Sequence, residues 1–241
     1  MTVLYVAWQD PKDRQWIPVG RLSFDGHVYR FVYTKGAQQS PNFLPFGGML
    51  DLTTAYESRE LFPLFANRVL AKTRPEYPHL LDWVNIPHDH DDPLVLLART
   101  GGMRETDSLA VFSCPEPRAD GTYVMDFFSH GIRYLPPPVI EAVDTLSPGD
   151  RLLLMPDPQN AFDRDALALR TASVAMIVGY CPRYLSRDFL TLLEANPETT
   201  HVVVERVSRD APIQLRLFCS LTAPWPAQFQ PCAEESYLPL A

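Results

Sequence analysis

The sequence predicts an α+β protein, mainly β, built as two small domains. Three observations support this prediction. Runs of β-branched and aromatic residues alternate with polar ones along much of the chain. Apolar residues recur at helical spacing in a few short stretches. The 241 residues are enough for one large or two ordinary domains, and 24 prolines against 11 glycines indicate stiff strand boundaries.

In the N-terminal half, short strands are followed by short helices. Strands are predicted in "TVLYVAW" and on both sides of Asp25-Gly26 in "PVGRLSFDGHVYRFVYT", because D-G between such runs is a hairpin signal. The segment "ELFPLFANRVLA" carries its apolar residues on one helical face, and "PHLLDWVNI" is a second helix candidate. A further strand is predicted in "SLAVFSCPEP".

The C-terminal half is predicted to form a sheet with two helices, "PPPVIEAVDTLSPGD" and the amphipathic "PRYLSRDFLTLLEANP". The predicted strands are "TYVMDFFSHGIRYL", "RLLLMPD", "DALALRT", "SVAMIVGY", "THVVVERVS" and "PIQLRLFCSL". We therefore predict domains at residues 1–113 and 114–222. The Pro-rich tail 223–241 is expected to wrap the surface or to stay loose.

Charge and cysteine usage narrow the function. The net charge is −8 and the pI about 5.2, so no overall basic field attracts nucleic acid, and any such contact must be local. The four cysteines are far apart and form no C-x-x-C pair, which is typical of thiols in a reducing cytosol. Neither a signal peptide nor an apolar run of membrane-spanning length is visible. We expect a soluble cytoplasmic protein without membrane contact.

The most unusual stretch is "DPQNAFDRDALAL", which places polar oxygens at the entry of a strand. It does not fit a calcium loop, because Phe162 stands where glycine is needed and Ala168 where a bidentate glutamate is needed. Two interpretations remain. The side chains either fix a turn through bonds to nearby backbone, or they bind a ligand that offers a hydroxyl group.

Enzyme and metal motifs are weak. "PHDHDDP" places His88 and His90 among three aspartates, which fits either a metal site or, as we favour, a solvated acidic loop. "RTGGMRETD" lacks the spacing of a phosphate-binding loop. No nucleophile is paired with a base at a recognisable spacing, so we predict a protein that is not an enzyme and needs no cofactor or metal.

"HGIRYLPP" places Arg133 next to Tyr134, which we expect at the end of a strand. One interpretation is a half-buried tyrosine with an arginine facing solvent. The other is base stacking by the ring and a phosphate contact by the arginine, a common pairing in proteins that bind single-stranded nucleic acid.

Taken together, "HGIRYL", "GDRLLLMPDPQNAFDRDALAL" and "VGYCPRYLSRDFLTLL" resemble the HIRAN domain over about residues 125–220. The resemblance implies a small OB-like β-barrel with two short helices that binds the 3′-hydroxyl end of single-stranded DNA. The sequence departs from the family pattern at four positions: Ala161 replaces proline, Phe162 replaces tyrosine, Asp165 replaces a common asparagine, and Leu135 replaces a second tyrosine.

The resemblance also implies roles for individual residues. Asp163 would accept a hydrogen bond from the terminal hydroxyl, and Phe162 would stack on a base. Tyr134 would stack on the adjacent base. The remaining DNA-binding candidates are Asn160, for a base edge or the backbone, and Arg133 and Arg183, for phosphates.

The N-terminal region resembles the N-terminal subdomain of HipA-type serine/threonine kinase toxins over about residues 1–113. "VGRLSFDGHVYRFVYT", "LPFGG", "ELFPLFANRVL" and "LLARTGGMRETDSLAVF" carry this resemblance. No kinase motif follows, so the resemblance implies a bacterial accessory protein of the toxin–antitoxin type. Its N-terminal half would dock on a separately encoded HipA-like kinase.

Three hypotheses follow. The first is a non-catalytic accessory protein that binds single-stranded DNA ends and docks a kinase. The second is an antitoxin-like regulator of a HipA-family kinase that does not bind DNA. The third, and least favoured, is a metal-dependent hydrolase that uses His88 and His90.

Overall fold

The computed structural model describes residues 2–89, 92–104 and 107–241. As predicted, the protein is mainly β with a few short helices. The chain divides into two compact units. The N-terminal unit comprises the described residues among 1–78, 87–114 and 230–241, and the C-terminal unit comprises residues 79–86 and 115–229. The segment predicted as a tail, 223–241, is therefore shared between the two units.

The N-terminal unit contains a five-stranded antiparallel sheet in the order β4-β3-β2-β1-β5. Its strands are β1 (Thr2–Gln9), β2 (Trp16–Phe24), β3 (Tyr29–Tyr33), β4 (Tyr56–Ser58) and β5 (Leu109–Phe112). The predicted hairpin joins β2 to β3, and the Asp25 carboxylate fixes it by accepting the backbone N–H groups of His27 and Val28 at 2.8 Å. The D-G signal therefore identified this turn correctly.

Short helices follow the first strands. They are α1 (Lys35–Gln39), α2 (Pro63–Ala66), α3 (Tyr77–Trp83) and α4 (Pro93–Thr100). The long helix predicted in "ELFPLFANRVLA" is wrong, because α2 makes about one turn. Just after it, the backbone tightens to i→i+3 hydrogen bonds, from Arg68 to Phe65 and from Val69 to Ala66, and the helix does not continue. The Arg68 guanidinium binds the carbonyl of Gly102 and the carboxylate of Asp107.

The C-terminal unit contains a six-stranded antiparallel sheet in the order β6-β11-β10-β7-β8-β9. Its strands are β6 (Thr122–Phe128), β7 (Arg151–Pro156), β8 (Leu167–Thr171), β9 (Ile177–Tyr180), β10 (His201–Val207) and β11 (Leu217–Pro224). Two α-helices accompany them, α5 (Pro137–Val143) and α6 (Arg183–Ala195). The sheet curls into a half-barrel, which fits the predicted OB-like fold.

The two edges of this sheet meet beyond β6. His130 and Tyr180 exchange backbone hydrogen bonds of 2.8 and 2.9 Å, and the Ser129 hydroxyl donates to the carbonyl of Val178. Gly179 permits this approach because a Cβ at its position would lie 1.9 Å from the Ser129 Oγ. Its φ of +134° also favours glycine.

The barrel core is apolar and closed by aromatic rings. Helix α6 buries Leu185, Phe189 and Leu192 on one face, as the periodicity predicted. Residues that follow β11 also join this core. The rings of Trp225 and Phe229 lie 5.8 and 5.9 Å from the buried ring of Tyr123.

None of the helices within the described ranges combines the length and the apolar character that a membrane span requires.

We expect Gly179→Ala to destabilise the C-terminal unit more than Gly149→Ala does. Both glycines have positive φ, so both variants carry backbone strain. A Cβ at position 149 meets open space, whereas at position 179 it meets the Ser129 hydroxyl. Overpacking of this kind costs about 1–3 kcal/mol. Urea unfolding of both variants beside the wild type measures the difference, and equal losses would contradict the close approach at the barrel seam.

Candidate functional site

The loop between β7 and β8 is organised by its own polar side chains. The Asn160 carboxamide oxygen accepts the N–H groups of Phe162 and Asp163 at 3.1 and 3.2 Å. The Asp163 Oδ1 accepts the N–H of Asp165 at 3.0 Å, and the base of the loop closes with a bond from the Asp157 N–H to the carbonyl of Ala166. The turn interpretation therefore describes the local structure, and the main observed role of Asn160 is to hold the turn.

The turn leaves an aromatic ring in solvent beside a carboxylate. Phe162 is 67% exposed, which is unusual for a phenylalanine. The Asp163 side chain is 17% exposed, and its Oδ2 lies 3.9 Å from the Nε of Arg183, the first residue of α6. The structure thus brings together four of the predicted residues: Asn160, Phe162, Asp163 and Arg183.

Arg133 and Tyr134 lie in a 3₁₀-helix, Ile132–Tyr134, and not at the end of a strand as predicted. The reason is Gly131, whose φ of +78° turns the chain after β6 has ended at Phe128. Tyr134 is 79% exposed, and the guanidinium carbon of Arg133 lies 5.2 Å from the centre of its ring. The two side chains therefore form one exposed cation–π pair.

Strand β9 connects the loop to this 3₁₀-helix. The hydroxyl of Tyr180 donates to the Asp157 Oδ2 at 3.1 Å, and its backbone pairs with His130. Burial and then the hydrogen bond to Asp157 raise the pKa of the Tyr180 phenol, so it remains a donor at neutral pH. Both candidate segments are thus attached to the same strand end.

Arginines and aspartates alternate around the loop. Besides the contact of Arg183 with Asp163, Asp165 lies 3.6 Å from both Arg164 and Arg187. Sequence reasoning missed Arg164 and Arg187 as basic neighbours of the site. For Arg187 a signal was present, because it follows Arg183 by four residues and therefore lies on the same side of α6.

His130 is held in its neutral form. Burial, and secondarily the positive charge of Arg183, lower its pKa to about 4. Its ring lies 6.4 Å from that of Tyr184, whose own pKa is raised by burial. His130 thus joins the barrel seam through its backbone and carries an uncharged side chain.

The acidic loop "PHDHDDP" is only partly described by the structure. His90 and Asp91 lie outside the described residues. Within the part of the chain that the structure describes, no group of three or more His, Cys, Asp or Glu side chains could hold a metal ion. Asp92 accepts the N–H of Leu94 at 2.7 Å and caps α4.

A curled antiparallel half-barrel with two helices and an exposed aromatic loop defines an OB-like β domain. Residues 122–224 match the family model of the HIRAN domain, so this segment is a HIRAN domain, as the motifs predicted. The resemblance of residues 1–113 to HipA-type kinase toxins finds no such support and stays a prediction.

Two solved structures are similar to part of the chain. A protein from Lactobacillus plantarum is 19% identical over 43% of this chain and 99% of its own, with a TM-score of 0.33. The HIRAN domain of human HLTF is 16% identical over 44% of this chain and 82% of its own, also with a TM-score of 0.33. No curated protein matches the chain significantly.

We expect stability to fall as the pH drops from about 6.5 to about 4, in the window set by His130. Its folded pKa of about 4 lies below the ordinary 6.5, so the unfolded chain binds the proton more readily. The loss reaches at most about 3 kcal/mol. Urea unfolding at a series of pH values measures it, and His130→Gln should flatten the slope.

His201→Gln, in the same unit, is the matched control and should keep the wild-type slope. The lowered pKa of Asp120, which arises from its hydrogen bonds with Thr122, acts below its ordinary 3.8 and so outside this window. An unchanged slope in His130→Gln would show that His130 is protonated alike in both states.

Proposed function

We propose that the HIRAN domain is a non-catalytic module that binds the 3′ end of single-stranded DNA. The observation that carries this proposal is the exposed ring of Phe162, which an ordered turn holds and which Asp163 follows as the next residue. The resemblance to HIRAN domains supports the same ligand. The ring and the carboxylate supply two different contacts, which are considered in turn.

The exposed rings provide stacking surfaces. Phe162 and Tyr134 present 67% and 79% of their surface to solvent, and stacking of a base on such a ring is worth about 1–3 kcal/mol. Both segments are tied to β9, so little ordering is needed when a base binds. The terminal base would stack on Phe162 and the next on Tyr134.

Asp163 would recognise the end itself. Its Oδ1 already accepts the N–H of Asp165, whereas its Oδ2 is 3.9 Å from Arg183 and a carboxylate oxygen can accept further hydrogen bonds. A 3′-hydroxyl can donate to this oxygen. A 3′-phosphate cannot, and its negative charge would be repelled by Asp163 and Asp165.

Local arginines would contact the backbone phosphates. Residues 122–224 contain 9 arginines, no lysine and 12 acidic residues, so attraction must come from the cluster and not from the domain as a whole. Arg133 and Arg183 are the principal candidates, and Arg187 extends the row along α6. Because few phosphates would be neutralised, affinity should depend only moderately on salt concentration.

The competing hypothesis is an antitoxin-like regulator whose N-terminal half docks a HipA-like kinase and whose barrel does not bind DNA. Kinase docking stays a prediction from resemblance. A measurement of oligonucleotide binding distinguishes the two hypotheses. A folded protein that binds none of the oligonucleotides tested would favour the regulator. Capture of a kinase by the full-length chain would then be its direct test.

We expect tighter binding to an oligonucleotide with a 3′-hydroxyl than to the same oligonucleotide with a 3′-phosphate. Loss of a hydrogen bond to a charged acceptor costs about 1.5–3 kcal/mol, or roughly 10- to 150-fold in Kd. Fluorescence anisotropy with 5′-labelled strands measures both. Asp163→Asn should remove most of the difference, while Asp120→Asn, which changes the net charge equally, should preserve it.

Equal affinity for the two ends in the wild type would overturn recognition of the hydroxyl. Circular dichroism of Asp163→Asn distinguishes a lost contact from a lost turn, since Asp163 also accepts the N–H of Asp165.

We also expect Phe162→Ala and Tyr134→Ala each to weaken binding by roughly 5- to 150-fold, the loss of one stacking contact. Val174→Ala is the matched control, because Val174 is 69% exposed in the same unit and has no assigned contact with DNA. Anisotropy titrations compare the three variants, and thermal unfolding checks that each is folded. A loss as large in Val174→Ala would indicate nonspecific apolar adsorption.

A further inference from the structure

Two of the four cysteines stand where the chain leaves and re-enters the N-terminal unit. Cys114 is the last residue before the inserted segment 115–229, and Cys232 follows two residues after the chain returns at Gln230. Both belong to the N-terminal unit and both are partly exposed. The two cysteines are far apart in sequence, but one lies just before segment 115–229 and the other just after it.

The structure brings these two residues together. The Cys114 thiol contacts the carbonyl oxygen of Pro231 at 3.4 Å. That carbonyl shares a peptide plane with the Cα of Cys232, so the Cys114 sulfur lies within the reach of one residue from Cys232. A disulfide needs Cα atoms about 4.4–6.8 Å apart, so closing the bond requires the Cys114 sulfur to move from the carbonyl of Pro231 to the sulfur of the next residue, Cys232.

The surroundings of Tyr5 give a second observation. Burial is the main cause of the raised pKa of the Tyr5 phenol; negative charge on Cys232 raises it further, the charge of Arg21 lowers it, and negative charge on Cys114 raises it. Cys232 and Cys114 thus both lie within electrostatic range of Tyr5. The ring of Tyr5 also contacts Tyr237 at 5.0 Å, which holds the returning segment in place.

Backbone bonds fix the segment that carries Cys232. The Lys35 N–H donates to the carbonyl of Leu238 at 2.8 Å, and the Leu240 N–H donates to the carbonyl of Tyr33 at 2.9 Å. Residues 230–241 are therefore an integral part of the N-terminal unit, and Cys232 stays near Cys114.

The other two cysteines differ from this pair in being fully buried. Cys181 and Cys219 lie in the barrel core with 2% and 0% exposure, and burial raises the pKa of both thiols. The thiolate is the reactive form, so these two are protected from oxidants. Cys181 and Cys219 therefore serve as controls within the same chain, because we expect neither to react with peroxide.

We propose that Cys114 and Cys232 are a redox-sensitive pair that closes to an intramolecular disulfide when the protein meets a peroxide. The thiolate of one cysteine attacks a peroxide oxygen, which gives a sulfenic acid and releases water after protonation. The second thiolate attacks that sulfur, forms the S–S bond and releases a second water. Two thiols are oxidised and one hydrogen peroxide is reduced to two waters.

The bond would tie together the two ends of the inserted segment. It would restrict the unfolded chain over the whole span from residue 114 to residue 232, and long loops give the largest entropic effect. We expect a rise in the melting temperature of the N-terminal unit on the order of 10 °C. DNA binding by the barrel plays no part in this inference.

The test treats the reduced full-length chain with hydrogen peroxide and records its intact mass under non-reducing conditions. We expect a loss of two hydrogen masses per chain, reversed by dithiothreitol. Chymotrypsin cleavage after Phe112 and Phe229 separates Cys232 from Cys219 and should yield one linked pair of peptides, carrying Cys114 and Cys232. Cys114→Ser and Cys232→Ser should each abolish both the link and the rise in melting temperature.

Three results would overturn the proposal. One is a gain of oxygen masses at Cys114 or Cys232 without a linked peptide in the wild type. Another is a link between two chains, seen as a dimer on a non-reducing gel. The third is a link that involves Cys181 or Cys219. The peptide map of the wild type decides the question even where a serine variant does not fold.

Discussion

The seam between residues 129–131 and β9 is the constraint on which the candidate site depends. Two backbone hydrogen bonds between His130 and Tyr180 join the edges of the curled sheet, and a residue without a side chain, Gly179, lets them approach. The chain on one side of the seam continues to Tyr134, and the strand on the other side contacts Asp157 through its last residue. The backbone pairing of His130 with Tyr180 thus helps to position the segments that carry Tyr134 and Phe162.

The side chains of the polar loop between β7 and β8 are used largely in forming the turn itself. The oxygens of Asn160 and one oxygen of Asp163 satisfy backbone N–H groups, and this internal use makes the turn rigid. The ring of Phe162 is left exposed to solvent, and the second oxygen of Asp163 lies 3.9 Å from the Nε of Arg183. These bonds account for the turn interpretation, and the ligand interpretation stays a prediction about the ring of Phe162 and the second oxygen of Asp163.

Features encoded by local pattern could be predicted, and features that depend on distant residues could not. The D-G hairpin and the apolar face of α6 follow from neighbours a few positions apart. Just past the end of α2, Arg68 contacts Asp107, 39 residues later, and no local pattern reveals this pairing. The sequence shows that residue 131 is a glycine but not that its φ is positive, so the predicted strand is too long. Similarly, the motif named Asp163 and Arg183, while their ion pair required the folded loop.

The aromatic closure of the barrel bears on how this module can be isolated. The family match ends at residue 224, yet Trp225 and Phe229 cover the ring of Tyr123 from positions just beyond it. A fragment that ends at residue 224 would lack both rings, so the ring of Tyr123 would become exposed and prone to nonspecific association. A fragment for spectroscopy or crystallisation therefore has to extend through Phe229, because the folded unit continues beyond the last residue of the family match.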